Sequence, residues 1–110
     1  MAKQEQSIVF VSSIQRKSVM RKYIIEREIP TVGSFNAEQF CGAAITSNAA
    51  IKKLGTDIQW IQSNVTADKL FCIYIARDEE VIRRHAELSG FPASRITEVT
   101  RIIDPATAKN

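Results

Sequence analysis

The chain has little of what usually staples or catalyses in a small protein: 110 residues hold two cysteines, one histidine and one tryptophan. Cys41 and Cys72 fall on a predicted helix and a predicted strand with no CxxC spacing. A zinc ribbon or disulfide framework is therefore not expected, and reduced, half-buried thiols in a cytoplasmic protein are. Long apolar runs are also missing. Ile8-Val9-Phe10-Val11 is shorter than the core of about 7–15 residues that a signal peptide needs, and Glu5 precedes it, so neither a leader nor a membrane span is expected. One sign of charge barely dominates, with 15 Lys and Arg against 12 Asp and Glu and a formal net charge of +3. Because the signs alternate along both predicted helices, no basic face forms and no nucleic-acid partner is expected. Phosphate-binding glycine loops, a hydrolase elbow, a paired acid and base, zinc-finger spacing and internal repeats are all absent from the sequence.

What is present suits one domain large enough to bury a core without the staples needed below roughly 40 residues. From Met20 the pattern reads strand, helix, strand, strand, helix, strand. The first strand is predicted over Lys22–Ile29, ended by Pro30. Helix one is predicted over Ala37–Leu54, with Asn36 and Gln39 as a capping-box pair, Lys52 and Lys53 in its last turn and Gly55 beyond it. Strands Ile58–Val65 and Leu70–Ala76 flank a short loop and form a hairpin. Asp78 then caps helix two, Glu79 and Glu80 occupy its first turn, and Gly90 stops it. Arg95–Ile103 is the last predicted strand. This is the α+β ferredoxin-like βαββαβ sandwich, a four-stranded antiparallel sheet with two helices on one face. Residues 20–110 make that domain. Residues 1–19 are an N-terminal extension, expected as a flexible segment or an additional edge strand.

Pairing Val65 with Leu70 in an unbroken ladder puts Ile61, Ser63, Val65, Leu70, Cys72 and Tyr74 on one face and Trp60, Gln62, Asn64, Phe71, Ile73 and Ile75 on the other. Two helices cover only one face, so the Trp60 face is expected to bury against a second copy of the chain, making a homodimer.

The blocks SNAAIKKLGTDIQWIQSNVTADKLFCIYIA, EEVIRRHAELSGFPASRITEV and IIDPATA, preceded by YIIEREIP, resemble a small ferredoxin-like family named for a nickel-binding member. The resemblance runs from Arg21 to Ala108. It implies a ferredoxin-like dimer, nickel or another divalent transition metal as the bound cofactor, and a site drawn from Glu26, Arg27, Ser47, Asn48, Trp60, Cys72, Tyr74 and His85.

His85 lies on the apolar stripe of helix two, between Val81 and Leu88. One turn away on either side stand only Val81, Ile82, Leu88 and Ser89, so a metal partner must come from the sheet or another chain, with Glu26 and Cys72 as donors. The simpler reading makes His85 a core-edge histidine held by a hydrogen bond from the sheet, Cys72 an inert core thiol, and Trp60 and Tyr74 packing residues. Trp60 and Tyr74 are the candidates for lining a ligand pocket. Three functional classes follow: a dimeric metal-binding protein for nickel buffering or sensing, a dimeric α/β-barrel-like enzyme using His85, and a small-ligand-binding module with its pocket at His85.

Overall fold

Local signals fix where each element begins and ends. Asn36 Oδ1 accepts the Gln39 backbone N–H at 2.8 Å and Gln39 Oε1 accepts that of Asn36 at 2.9 Å, closing the capping box. Asp78 Oδ1 accepts the Val81 N–H at 3.0 Å, and Arg83 donates to Glu79 at 3.0 Å one turn along the same helix. Gly90 ends that helix at φ +81°, a left-handed conformation that glycine adopts without steric cost.

The computed structural model describes residues 19–109. They form β1 (Arg21–Glu28), α1 (Ala37–Leu54), β2 (Ile58–Val65), β3 (Lys69–Ala76), α2 (Glu79–Ser89) and β4 (Arg95–Val99), with one-turn helices at Val32–Ser34, Gly55–Asp57 and Pro105–Ala108. The sheet order is β2-β3-β1-β4 and every pairing is antiparallel, which is the ferredoxin-like α+β arrangement. Apart from Val19, the expected N-terminal extension lies outside the described residues. The core joins Tyr23 and Ile25 of β1, Ile58 of β2, Cys72, Tyr74 and Ala76 of β3, and Val81 and Ile82 of α2.

Two expectations about strands are corrected. β4 stops at Val99 rather than Ile103, because Val99 already pairs with Lys22 and β1 begins at Arg21, leaving no further ladder to join. Ile102 and Ile103 accordingly stay exposed. The second correction concerns Trp60. Val65 pairs with Leu70 and Ser63 with Cys72 as expected, but the register shifts between Trp60 and Gln62, and Trp60 pairs with Tyr74. Ile61 is the extra residue of a β-bulge, which turns the earlier part of β2 over. Ile58 and Trp60 therefore join the helix-covered face, with Ile58 3% exposed, and the bulged Ile61 stays at the surface. The uncovered face keeps Ile24, Phe71, Ile73 and Ile75, all half-buried.

The turn after β1 docks on the β2–β3 hairpin through Gly33 N–H to Ala67 O at 2.9 Å and Ile29 N–H to Asp68 O at 3.1 Å. A Cβ on Gly33 would stand 2.8 Å from Ala67 Cα and from Thr66 O, and both are backbone atoms with little room to yield. Gly33→Ala is expected to lower stability by about 1–3 kcal/mol. An unchanged urea midpoint would mean that this turn moves off the hairpin freely.

Candidate functional site

The inward face of α1 is built from small side chains. Ala43, Ala44 and Ser47 recur at helical spacing and form one wall of a space above the sheet. Trp60, Ser63, Val65, Leu70 and Tyr74 form the opposite wall, and Val32, Phe35 and Phe40 close one side. The space between is a cavity of about 540 Å³, bounded at its inner end by Gly90-Phe91-Pro92. That volume falls in the range of roughly 300–1,000 Å³ typical of small-molecule sites. Its lining is apolar except near Ser63 and near the hydroxyls of Ser47 and Tyr74.

Behind those two hydroxyls lies a closed polar cluster. Arg27 is 1% exposed, Ser47 3%, Tyr74 2% and His85 0%. Arg27 Nη1 donates to Pro92 O at 3.0 Å, and Nη2 lies 3.5 Å from both Tyr74 OH and His85 Nδ1. The guanidinium also stands 5.8 Å from the Tyr74 ring centroid and 5.9 Å from that of Phe91, so the charge rests between two aromatic faces. His85 Nε2 is 3.1 Å from Ser47 Oγ, and Ser47 Oγ is 3.5 Å from Tyr74 OH.

Arginine only donates, and that fixes the tautomer of His85. Nδ1 faces Arg27 and must be the bare, accepting nitrogen; the proton sits on Nε2 and is donated to Ser47 Oγ. Burial, then the adjacent Arg27 charge, push the His85 pKa down to about 4, so the ring is neutral at ordinary pH. Burial likewise raises the Tyr74 pKa, against hydrogen bonds from Ser47 and Arg27 that lower it, and the phenol keeps its proton.

Arg27 is a buried cation with no carboxylate opposite it. Among the described residues the ion pairs are Lys69–Glu26, Arg77–Asp57, Arg77–Asp78 and Arg83–Glu79, and none reaches Arg27. Buried charges are ordinarily paired, since removing a charge from water costs several kcal/mol.

The candidate residues separate into four groups. Trp60 and Tyr74 line the cavity, and Ser47 joins them. His85 sits behind Ser47 and is not part of the lining. Cys72 lies on the same covered face but in another network, where Trp60 Nε1 donates to Ser63 Oγ at 3.0 Å and Ser63 Oγ to Cys72 Sγ at 3.0 Å. Glu26 and Asn48 are not brought in. Glu26 points to the uncovered face of the sheet, 4.0 Å from Lys69, because strand residues alternate and its neighbour Arg27 takes the inward position. Asn48 is exposed on the outer side of α1.

A family model described as nickel responsive protein SCO4226-like matches residues 23–99. This chain belongs to that family. Among solved structures, the crystal structure of SCO4226 from Streptomyces coelicolor A3(2) superposes with a TM-score of 0.63 at 16% sequence identity. It covers 74% of this chain and 99% of its own, a likeness of fold. Comparison with curated proteins gives no match. In this family member the described residues of one chain gather no group of three His, Cys, Asp or Glu side chains able to hold a metal ion. The one histidine has both ring nitrogens in hydrogen-bond contact, one of them with a cation.

Proposed function

We propose that this nickel-responsive-family protein is a cytoplasmic homodimer that binds a small apolar molecule in the cavity between α1 and the β2–β3 hairpin. The observation that carries this reading is the cavity itself: an apolar chamber with two hydroxyls converging at one end. Such a chamber suits binding and orientation rather than proton transfer, because His85 is fully enclosed, neutral and occupied at both nitrogens. The free thiols of Cys41 and Cys72 suit a reducing compartment. No described helix is long and apolar enough to cross a membrane.

Direct capture of nickel by the sequence-level donors fits this geometry poorly. His85 and Cys72 belong to separate networks, Glu26 faces the other side of the sheet, and Arg27 beside His85 repels a divalent cation. A nickel response carried by bound metal would need donors beyond those that the described residues of one chain gather. Calorimetric titration with nickel is therefore expected to give the same result for the wild type and His85→Ala, and loss of a stoichiometric site in the variant would restore His85 as a ligand.

The cavity is tested with the neutral fluorophore 1-N-phenylnaphthylamine. Saturable binding at one site per chain is expected, with the single Trp60 reporting it by energy transfer. Ala44→Phe, which fills the chamber, should weaken that binding at least about tenfold. Absence of saturable binding, or equal affinity in the filled variant with its fold retained, would overturn the reading.

The uncovered sheet face supports the dimer reading, since Ile24, Phe71, Ile73 and Ile75 form an apolar strip there that no described element covers. Light scattering should give a dimer for the wild type and a monomer for Ile73→Glu. A monomeric wild type at micromolar concentration would sink this assignment.

A further inference from the structure

Hydrogen-bond direction at the inner end of the cavity says more about the ligand than the cavity's size does. Arg27 donates toward Tyr74 OH and toward His85 Nδ1. His85 donates its Nε2–H to Ser47 Oγ. Both hydroxyls, on residues that line the cavity, thus accept from behind, and each retains its own O–H. At most one of these can be spent on the other hydroxyl across their 3.5 Å separation, so at least one donor is left over at the chamber wall. The cluster has a second surplus, the positive charge of Arg27, which no described carboxylate neutralises. One spare donor and one spare positive charge, at the end of an otherwise apolar chamber, are matched by one kind of molecule.

We propose that the ligand is an amphipathic monocarboxylate, its apolar body against Trp60, Phe40 and Leu70 and its carboxylate accepting from Tyr74 OH and Ser47 Oγ with the Arg27 guanidinium directly behind. Charge-assisted hydrogen bonds to a carboxylate are roughly twice as strong as neutral ones, and the low polarity of the chamber strengthens them further. An amine head would meet donors and a like charge. An alcohol would satisfy the donor and leave the charge. This assignment rests on the cavity being the ligand site and adds the class of molecule it selects.

The experiment compares decanoate, decanol, decylamine and decyl phosphate as displacers of 1-N-phenylnaphthylamine from the full chain. Decanoate is expected to displace the fluorophore at a concentration at least about tenfold below decanol, with decylamine weakest. Tyr74→Phe combined with Ser47→Ala keeps the chamber and removes both donors. It should bring decanoate to within about threefold of decanol, both measured against the fluorophore's affinity for the same variant. Fluorophore binding with decanoate no better than decanol would overturn the carboxylate and leave the cavity standing. Failure of the fluorophore and of every displacer would overturn both. A decanoate preference that survives both the double substitution and Arg27→Met would place the anion elsewhere, and tighter binding of decyl phosphate would replace the carboxylate by a dianion.

Discussion

Stability toward urea is expected to fall by roughly 3 kcal/mol from His85 alone as pH is lowered from about 6.5 to about 4. An unfolded histidine titrates near 6.5, whereas the folded ring, enclosed and beside Arg27, does so near 4. Between those values the unfolded chain binds a proton that the folded chain refuses, so acid favours unfolding. Above the upper value both states are neutral and the contribution is flat; below the lower one both are protonated and it levels again. The groups facing the ring are Arg27 from β1, Ser47 from α1 and Tyr74 from β3, none of them a carboxylate that could compensate. His85→Gln offers an amide oxygen toward Arg27 and an amide N–H toward Ser47, yet does not titrate. Urea midpoints at about pH 7.5 and about pH 4.5 should separate strongly in the wild type and by roughly 3 kcal/mol less in the variant. Equal acid sensitivity in the two would mean that the ring is protonated in the folded protein.

Truncating the buried cation should act on the same cluster from the other side. Arg27→Ala removes the donor to Pro92 O, to Tyr74 OH and to His85 Nδ1, and takes away the group packed between the Tyr74 and Phe91 rings. Buried acceptors left without a donor cost about 1–3 kcal/mol each, and the lost packing adds to that. Relief of an unpaired buried charge works against these terms, so a net loss of about 2–4 kcal/mol is expected. Because the Arg27 charge is the second cause of the low His85 pKa, the acid step described above should shrink in this variant. Arg27→Met distinguishes charge from volume, since it refills the space without restoring any donor. An Arg27→Ala protein as stable as the wild type would show that burying the cation costs as much as its contacts return.

The architecture was legible because its signals are local and agree. Asn36 with Gln39, Asp78 with Val81, and Gly90 each specify a terminus through a few adjacent residues, and both helices begin and end where those residues put them. The register of the hairpin after the bulge was legible for the same reason, since the turn at residues 66–68 sets it. The bulge at Ile61 was not. Nothing in the local sequence distinguishes a regular strand from one carrying an extra residue, and the choice is made by burying Ile58 and Trp60 under the helices. The inward residue of the Glu26-Arg27 pair was hidden by a run of two isoleucines, Ile24 and Ile25, which leaves the alternation of β1 ambiguous. Counting by two from Tyr23 through Ile25 reaches Arg27. The cavity, too, left a trace in the sequence, the small residues Ala43, Ala44 and Ser47 down one side of α1, a pattern that reads equally well as tight helix packing until the opposing wall is known.

The extra residue in β2 also makes the chamber depend on which residue the ladder leaves unpaired. With the hairpin turn holding the register of Val65 opposite Leu70, a ladder that took Ile61 into the pairing would put Trp60 opposite Ile75 and turn it outward while every side chain keeps its identity, whereas deleting Ile61 would leave Trp60 opposite Tyr74 in a continuous ladder. The orientation of the tryptophan is thus a matter of counting rather than of chemistry. A relative one residue shorter at this point would keep the tryptophan in the wall with a regular strand, whereas this chain keeps it there by leaving Ile61 out of the pairing.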